Sequence, residues 1–189
     1  MGNPPCRASE ALRRDGLPHE LFGPYRRDVH ATLCSRLPGL GFHVQQRFDR
    51  NRTADLWPIA NGVRRIVAIL DGSAELGFAS LEDQGAFAKA GTILYGDEFN
   101  LFSEAIAYNL PSGSLTFVAR DPDAYRNGAK TLHRLYVYMN RKAGTGADAW
   151  LKDISRTLCA HDEILKWKLH LPQQYDSARP APHHPTSAI

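Results

Sequence analysis

The clearest alternation of apolar and polar positions in the chain falls on residues 130–140, KTLHRLYVYMN. β-Branched and aromatic side chains recur there with the two-residue period of a strand. Parity puts Thr131, His133, Leu135, Val137 and Met139 on one face, and Lys130, Leu132, Arg134, Tyr136 and Tyr138 on the other. The first face reads as core and the second as a place for chemistry. Residues 41–48 alternate too, with Phe42, Val44 and Phe48 expected inward and His43, Gln45 and Arg47 outward.

Other segments follow the longer helical period. Leu21, Tyr25, Val29, Leu33 and Leu37 recur every four residues, predicting a helix over 20–37 with that stripe buried, Pro24 in its first turn and Pro38-Gly39 as its stop. On this pattern His30 is a surface residue. Residues 63–70 read as a central strand, Asp71-Gly72 as a hairpin turn, and 74–80 as the returning strand with Leu76 and Phe78 inward. A short helix is expected over 81–90, ended by Gly91, and then a brief extended TILY. A second helix, capped by Asp97, is expected to run to about residue 109 and to bury Phe99, Phe102, Ile106 and Leu110. Residues 114–120 form a further strand, joined to 130–140 by a polar loop. An amphipathic helix to about 166 carries Trp150, Leu151, Ile154, Leu158 and Leu165, and a short strand follows at 167–171.

This succession predicts an α+β fold: a single domain over 20–171, with a mainly antiparallel sheet covered by amphipathic helices. Residues 1–19 are expected to be a flexible N-terminus and 172–189 a disordered Pro-rich tail, in which His183 and His184 make no specific metal site. No internal repeat interrupts this plan.

Composition narrows the function classes. The 189 residues carry 43% hydrophobic and 23% charged side chains with a net charge of +3, a globular balance too weakly basic for a nucleic-acid partner. No apolar run is long enough for a membrane span, and the N-terminus lacks the apolar core of a Sec signal peptide, so a cytoplasmic protein is expected. Cys6, Cys34 and Cys159 form no Cys-x-x-Cys, which argues against a zinc site or a disulfide framework. The opening MGNPPC partly matches an acylation signal, with Gly2 and Cys6 as the candidate positions and weak membrane association as the consequence.

No phosphate-binding glycine loop or dinucleotide fingerprint occurs, and no motif points to a cofactor. Cys159 and His161 are two apart on a helix and point away from each other. The polar strand faces are more informative. Arg134, Arg47, Tyr138 and Gln45 form a candidate anion-binding set, with Lys130, Tyr136 and His43 beside it, because guanidinium forks and hydroxyl donors suit phosphate or carboxylate.

The stretch FVARD, the polar loop, RLYVYMN, the long amphipathic helix and KWKLHLPQQYDSARP together resemble the HopA-type type III effector family over roughly residues 115–180. That family is related to the lyases of class V lanthipeptide synthesis and more distantly to phosphothreonine lyases. The resemblance implies an injected effector, and β-elimination from phosphoserine or phosphothreonine. In that reading Lys130 is the base, Arg134 and Arg47 clamp the phosphate, and Tyr136 or His43 is the acid. His133 falls on the opposite face by parity. Two functions stay open: a non-catalytic domain that binds an acidic or phosphorylated protein partner through the Arg/Tyr face, and a lyase acting on a phosphopeptide. The first carries more weight because no acid/base pair is complete. Oligomeric state is not encoded in any of these patterns.

Overall fold

A computed structural model describes residues 4–48, 61, 70–110, 112–120, 136–139 and 146–172. They group into two compact units, the larger holding 4–48, 70–110, 112 and 172 and the smaller 61, 113–120, 136–139 and 146–171. The fold is α+β, and among the described residues every strand pairing is antiparallel.

In the larger unit, β1 (Cys6–Arg13), β2 (Leu40–Arg47), β3 (Gly72–Phe78) and β4 (Phe102–Leu110) form a sheet in the order β2-β3-β1-β4. The expectation of a flexible N-terminus is therefore corrected: β1 pairs on both sides, with β3 and with β4. Its CRASEALR sequence lacks the bulky β-branched residues that mark a strand. Small Cys6 and Ala11 suit an interior position, and both are buried. Asp71-Gly72 is corrected as well. Rather than turning a hairpin, Asp71 leads straight into β3, its N–H donating to Ala11 O and its carbonyl accepting from Phe48 N–H.

α1 (His19–Tyr25), a π-helical turn (Arg26–His30) and α2 (Ala31–Ser35) make the first helical segment as expected, but with another face inward. Phe22, Arg26, His30 and Cys34 are buried, whereas Leu21, Tyr25, Val29 and Leu33 are exposed. The buried line sits one position along, and two of its members are polar residues with partners inside the fold.

α3 (Leu81–Ala90) forms where expected, with Ser80 Oγ accepting from the Asp83 N–H as its cap. TILY is helical instead of extended: a 3-10 turn (Gly91–Leu94) leads into α4 (Tyr95–Leu101). The predicted helix to 109 stops there. Phe102 adopts extended backbone (φ −118°, ψ 136°), and the chain continues as β4. Phe99 and Ile106 are accordingly exposed. Cys34, Leu76, Phe78, Phe87 and Leu94 form the apolar core between helices and sheet.

The smaller unit holds β5 (Leu115–Ala119), α5 (Ala147–Leu158) and β6 (Lys166–Leu169). β5 pairs with β6, close to expectation, while α5 is shorter than predicted. Trp167 Nε1 donates to Ser155 Oγ (2.9 Å), which donates to Leu151 O (2.7 Å). The Arg120 guanidinium donates to the carbonyls of Cys159, His161 and Ile164, closing the C-terminal end of α5 with a cation. Of the strand expected at 130–140, residues 130–135 and 140 lie outside the described residues. Tyr136 to Met139 are exposed and outside regular secondary structure, so Val137 and Met139 are not core residues. Among the described residues no helix is long and apolar enough to cross a membrane.

Candidate functional site

Strand register decides which β2 side chains share a layer with the helices. In antiparallel pairs, directly opposed residues project from the same face. His43 opposes Leu76, Gln45 opposes Ala74 and Arg47 opposes Gly72, and Leu76 is in the core that Cys34 of α2 closes. The His43, Gln45 and Arg47 row therefore lies under the helices. Phe42, expected inward, is 40% exposed and lays its ring over Gly77 on the opposite face. The alternation was legible but the faces are exchanged, because the layer beneath α1 and α2 holds polar residues, Arg26 bonded to strand carbonyls and His30 to Asp97.

Arg26 anchors that layer. It is 5% exposed, donating Nη1 to Gln46 O and Nη2 to Ser73 O, each at 2.8 Å. Gly72 makes room for it, since a Cβ there would meet both Arg26 Nη1 and Gln46 O at 2.5 Å. Burial lowers its pKa to about 10, against the opposing pull of Glu10. Among the described residues Arg26 pairs with no carboxylate, and its Nε has no hydrogen-bond partner.

One turn further, His30 Nδ1 is 2.7 Å from Asp97 Oδ2, and Asp97 Oδ1 accepts from Tyr25 OH at 2.7 Å. Phe102 packs edge-on to the imidazole. His30 is thus a buried, oriented group, not the surface histidine its pattern suggested. His43 is driven down to about 4, first by burial and then by the Arg26 and His30 charges. In the free protein its imidazole is therefore uncharged at pH 7. Arg7 on β1 is also lowered by burial, against Glu98 and Tyr95 on α4.

At the other end of the row Arg47 is exposed, yet its guanidinium is fitted against α1. A Cβ on Gly23 would come within 2.8 Å of Nη1, and Nη2 lies 3.5 Å from His19 Nδ1. Gln45 is half-buried with its Nε2 unpartnered. The expected anion-binding residues thus fall into two groups: His43, Gln45 and Arg47 belong to the larger unit, and the exposed Tyr136 and Tyr138 to the smaller. Lys130, Arg134 and Gly2 lie outside the described residues. Cys6 is corrected as a lipidation site, because its side chain is buried within the doubly paired β1.

Arg26, His30, Asp97, Tyr25 and Arg7 were not singled out from sequence. The only signal was the four-residue recurrence of 22, 26, 30 and 34 beside the apolar stripe. Asp71, read as turn chemistry, is fully buried, its Oδ2 accepting from the Arg13 N–H (2.7 Å) with Arg13 Nε 3.8 Å from Oδ1. Among the described residues no group of three His, Cys, Asp or Glu could hold a metal ion. No protein-family model matches the chain, and no curated protein matches it.

Proposed function

We propose that this protein is a non-catalytic, effector-type binding domain that acts inside a cell, its own or a host's, and grips an acidic or phosphorylated protein partner at the Arg47 end of β2. The observation that carries the reading is the state of Arg47. Its guanidinium is exposed and held against Gly23, and it pairs with no carboxylate among the described residues. A cation already ordered in the free protein loses less rotamer freedom when an anion arrives, so more of the charge-assisted hydrogen bond appears as affinity. Calorimetric titration with a phosphothreonine peptide, its Glu-substituted form and its unmodified form tests this. Binding of the anionic peptides, weakened about tenfold or more in Arg47→Ala and falling with salt, is expected. A folded protein that binds none of them overturns the proposal.

A second reading, β-elimination from a phosphorylated residue, draws on the His30–Asp97 pair standing near neutral His43. Such an oriented imidazole can move a proton while the cations receive the leaving phosphate. Incubation with the phosphothreonine peptide and mass spectrometry distinguishes it, since only turnover removes phosphoric acid.

A further inference from the structure

The sheet order puts β4 at an edge, and among the described residues it pairs with β1 alone. The ladder shows which of its backbone groups that pairing uses. Pro5 O accepts from Phe78 N–H and Ala11 O from Asp71 N–H, so the odd positions of β1 bond towards β3, whereas Arg14 N–H donates to Leu101 O on the other side. Alternation turns the even positions of β1 to β4, where they oppose Glu104, Ile106, Tyr108 and Leu110. The N–H and C=O groups of Ala105, Ala107 and Asn109 therefore point outward, away from the sheet. Exposed edges are usually closed to other strands by Lys, Pro or an irregular backbone. Residues 103–109, SEAIAYN, contain no Lys, Pro or Gly, and the register shift against β1 falls before Glu104.

What this edge fits best is itself. Two strands related by a two-fold axis oppose positions that are symmetric about the centre, and this run is chemically symmetric about Ile106. Ala105 would oppose Ala107, both small and both with outward backbone groups, so the pair exchanges two N–H···O bonds on each side of the axis. Glu104 would oppose Tyr108, a carboxylate facing a phenol donor, and Ser103 would oppose Asn109. Ile106, 42% exposed in the single chain, would meet its own copy at a non-hydrogen-bonded position, where side chains come closest. We propose that two copies of this chain dimerise through β4, antiparallel about Ile106, joining their four-stranded sheets edge to edge. A foreign strand can use the same backbone groups, but the match at three successive pairs is one this sequence makes with its own copy. The inference is independent of the partner-binding proposal, because Arg47 lies on β2, the opposite edge of the sheet.

Sedimentation velocity of the full chain, from micromolar to near-millimolar concentration, should show a monomer–dimer equilibrium. Ala107→Pro removes an N–H that the β1 pairing does not use, so the fold should be retained in circular dichroism. Its association should weaken about tenfold or more, because a partner bond is lost and the ring obstructs the edge. Register is read separately by disulfide cross-linking in a Cys159→Ser background, Cys6 and Cys34 being buried. Ile106→Cys should form a covalent dimer under mild oxidation, since the axis sets its two copies face to face. Glu104→Cys should not, because its copies would stand four residues apart along the ladder, about 13 Å, beyond disulfide reach. A wild-type chain that stays monomeric throughout overturns the inference, as does a folded Ala107→Pro protein that dimerises as strongly as the wild type. If that variant does not fold, the cysteine pair decides: failure of Ile106→Cys to cross-link, or equal cross-linking of Glu104→Cys, overturns it.

Discussion

Acidification should destabilise this protein through His43 in a way that one substitution isolates. Burial, reinforced by Arg26 and His30, lowers the folded-state pKa from 6.5 to about 4. The unfolded chain therefore binds a proton between those values that the folded chain refuses. Stability from this source is complete above about pH 6.5 and is lost as pH falls towards 4. Integrating the difference gives a loss of about 2 kcal/mol between pH 7.5 and pH 5. With a urea m-value of roughly 2 kcal/mol/M, the midpoint should fall by about 1 M from this residue. The assay is urea unfolding at the two pH values for the wild type and for His43→Gln, which keeps a polar side chain but does not titrate. The variant should lose the His43 part of the slope and retain whatever other groups contribute. Equal pH dependence in the two proteins would falsify the burial argument, because it would mean that His43 takes up its proton in the folded state at no cost.

Arg26→Ala should lower stability by about 2–4 kcal/mol in denaturant unfolding, since two carbonyls lose a charged donor, while Arg26→Met should lose less because it fills the space without burying a charge. Gly72→Ala should cost about 1–3 kcal/mol, because the new methyl meets the fixed Gln46 carbonyl as well as the Arg26 guanidinium. Cys34, raised to about 11 mainly by burial, should have about a thousandth of its thiol ionised at pH 8. Peptide-resolved alkylation should find it slow in the native protein and fast in urea, with half-buried Cys159 ahead of it in the native state.

Secondary structure was legible where only one period fitted. The strands over 41–48 and 114–120 and the helices at 20–37 and 81–90 appear close to expectation. The helix assigned to 97–109 misled for a definable reason: Phe102, Ile106 and Leu110 are four apart, which satisfies a helical stripe and one face of a strand equally. Pairing with β1, fixed by residues almost a hundred positions away, decided for the strand. The candidate site was legible as a row, His43, Gln45 and Arg47, but not as a layer. Burying Arg26 and His30 depends on Gln46 O, Ser73 O and Asp97, and no local pattern announces that those acceptors will be in reach. Asp71-Gly72 shows the same limit, for it reads as a turn until the space that Gly72 leaves is seen to hold a guanidinium.

The π turn is what makes that layer geometrically consistent. On a regular α-helix, positions four apart drift by about 40° at each step, so residues 22, 26, 30 and 34 would spread over about 120°. A wider turn between Arg26 and His30 rotates the chain back and keeps Phe22, Arg26, His30 and Cys34 in one buried line. The two polar members then reach different partners while the two apolar ones pack: Arg26 over the β2–β3 carbonyls, His30 onto Asp97, Phe22 against Phe102 and Cys34 into the core. A regular helix through the same residues would carry His30 or Arg26 off its partner and leave a buried polar group unsatisfied. The local irregularity and the polar layer therefore depend on each other, and β2 takes the chemistry of its helix-facing row from that layer.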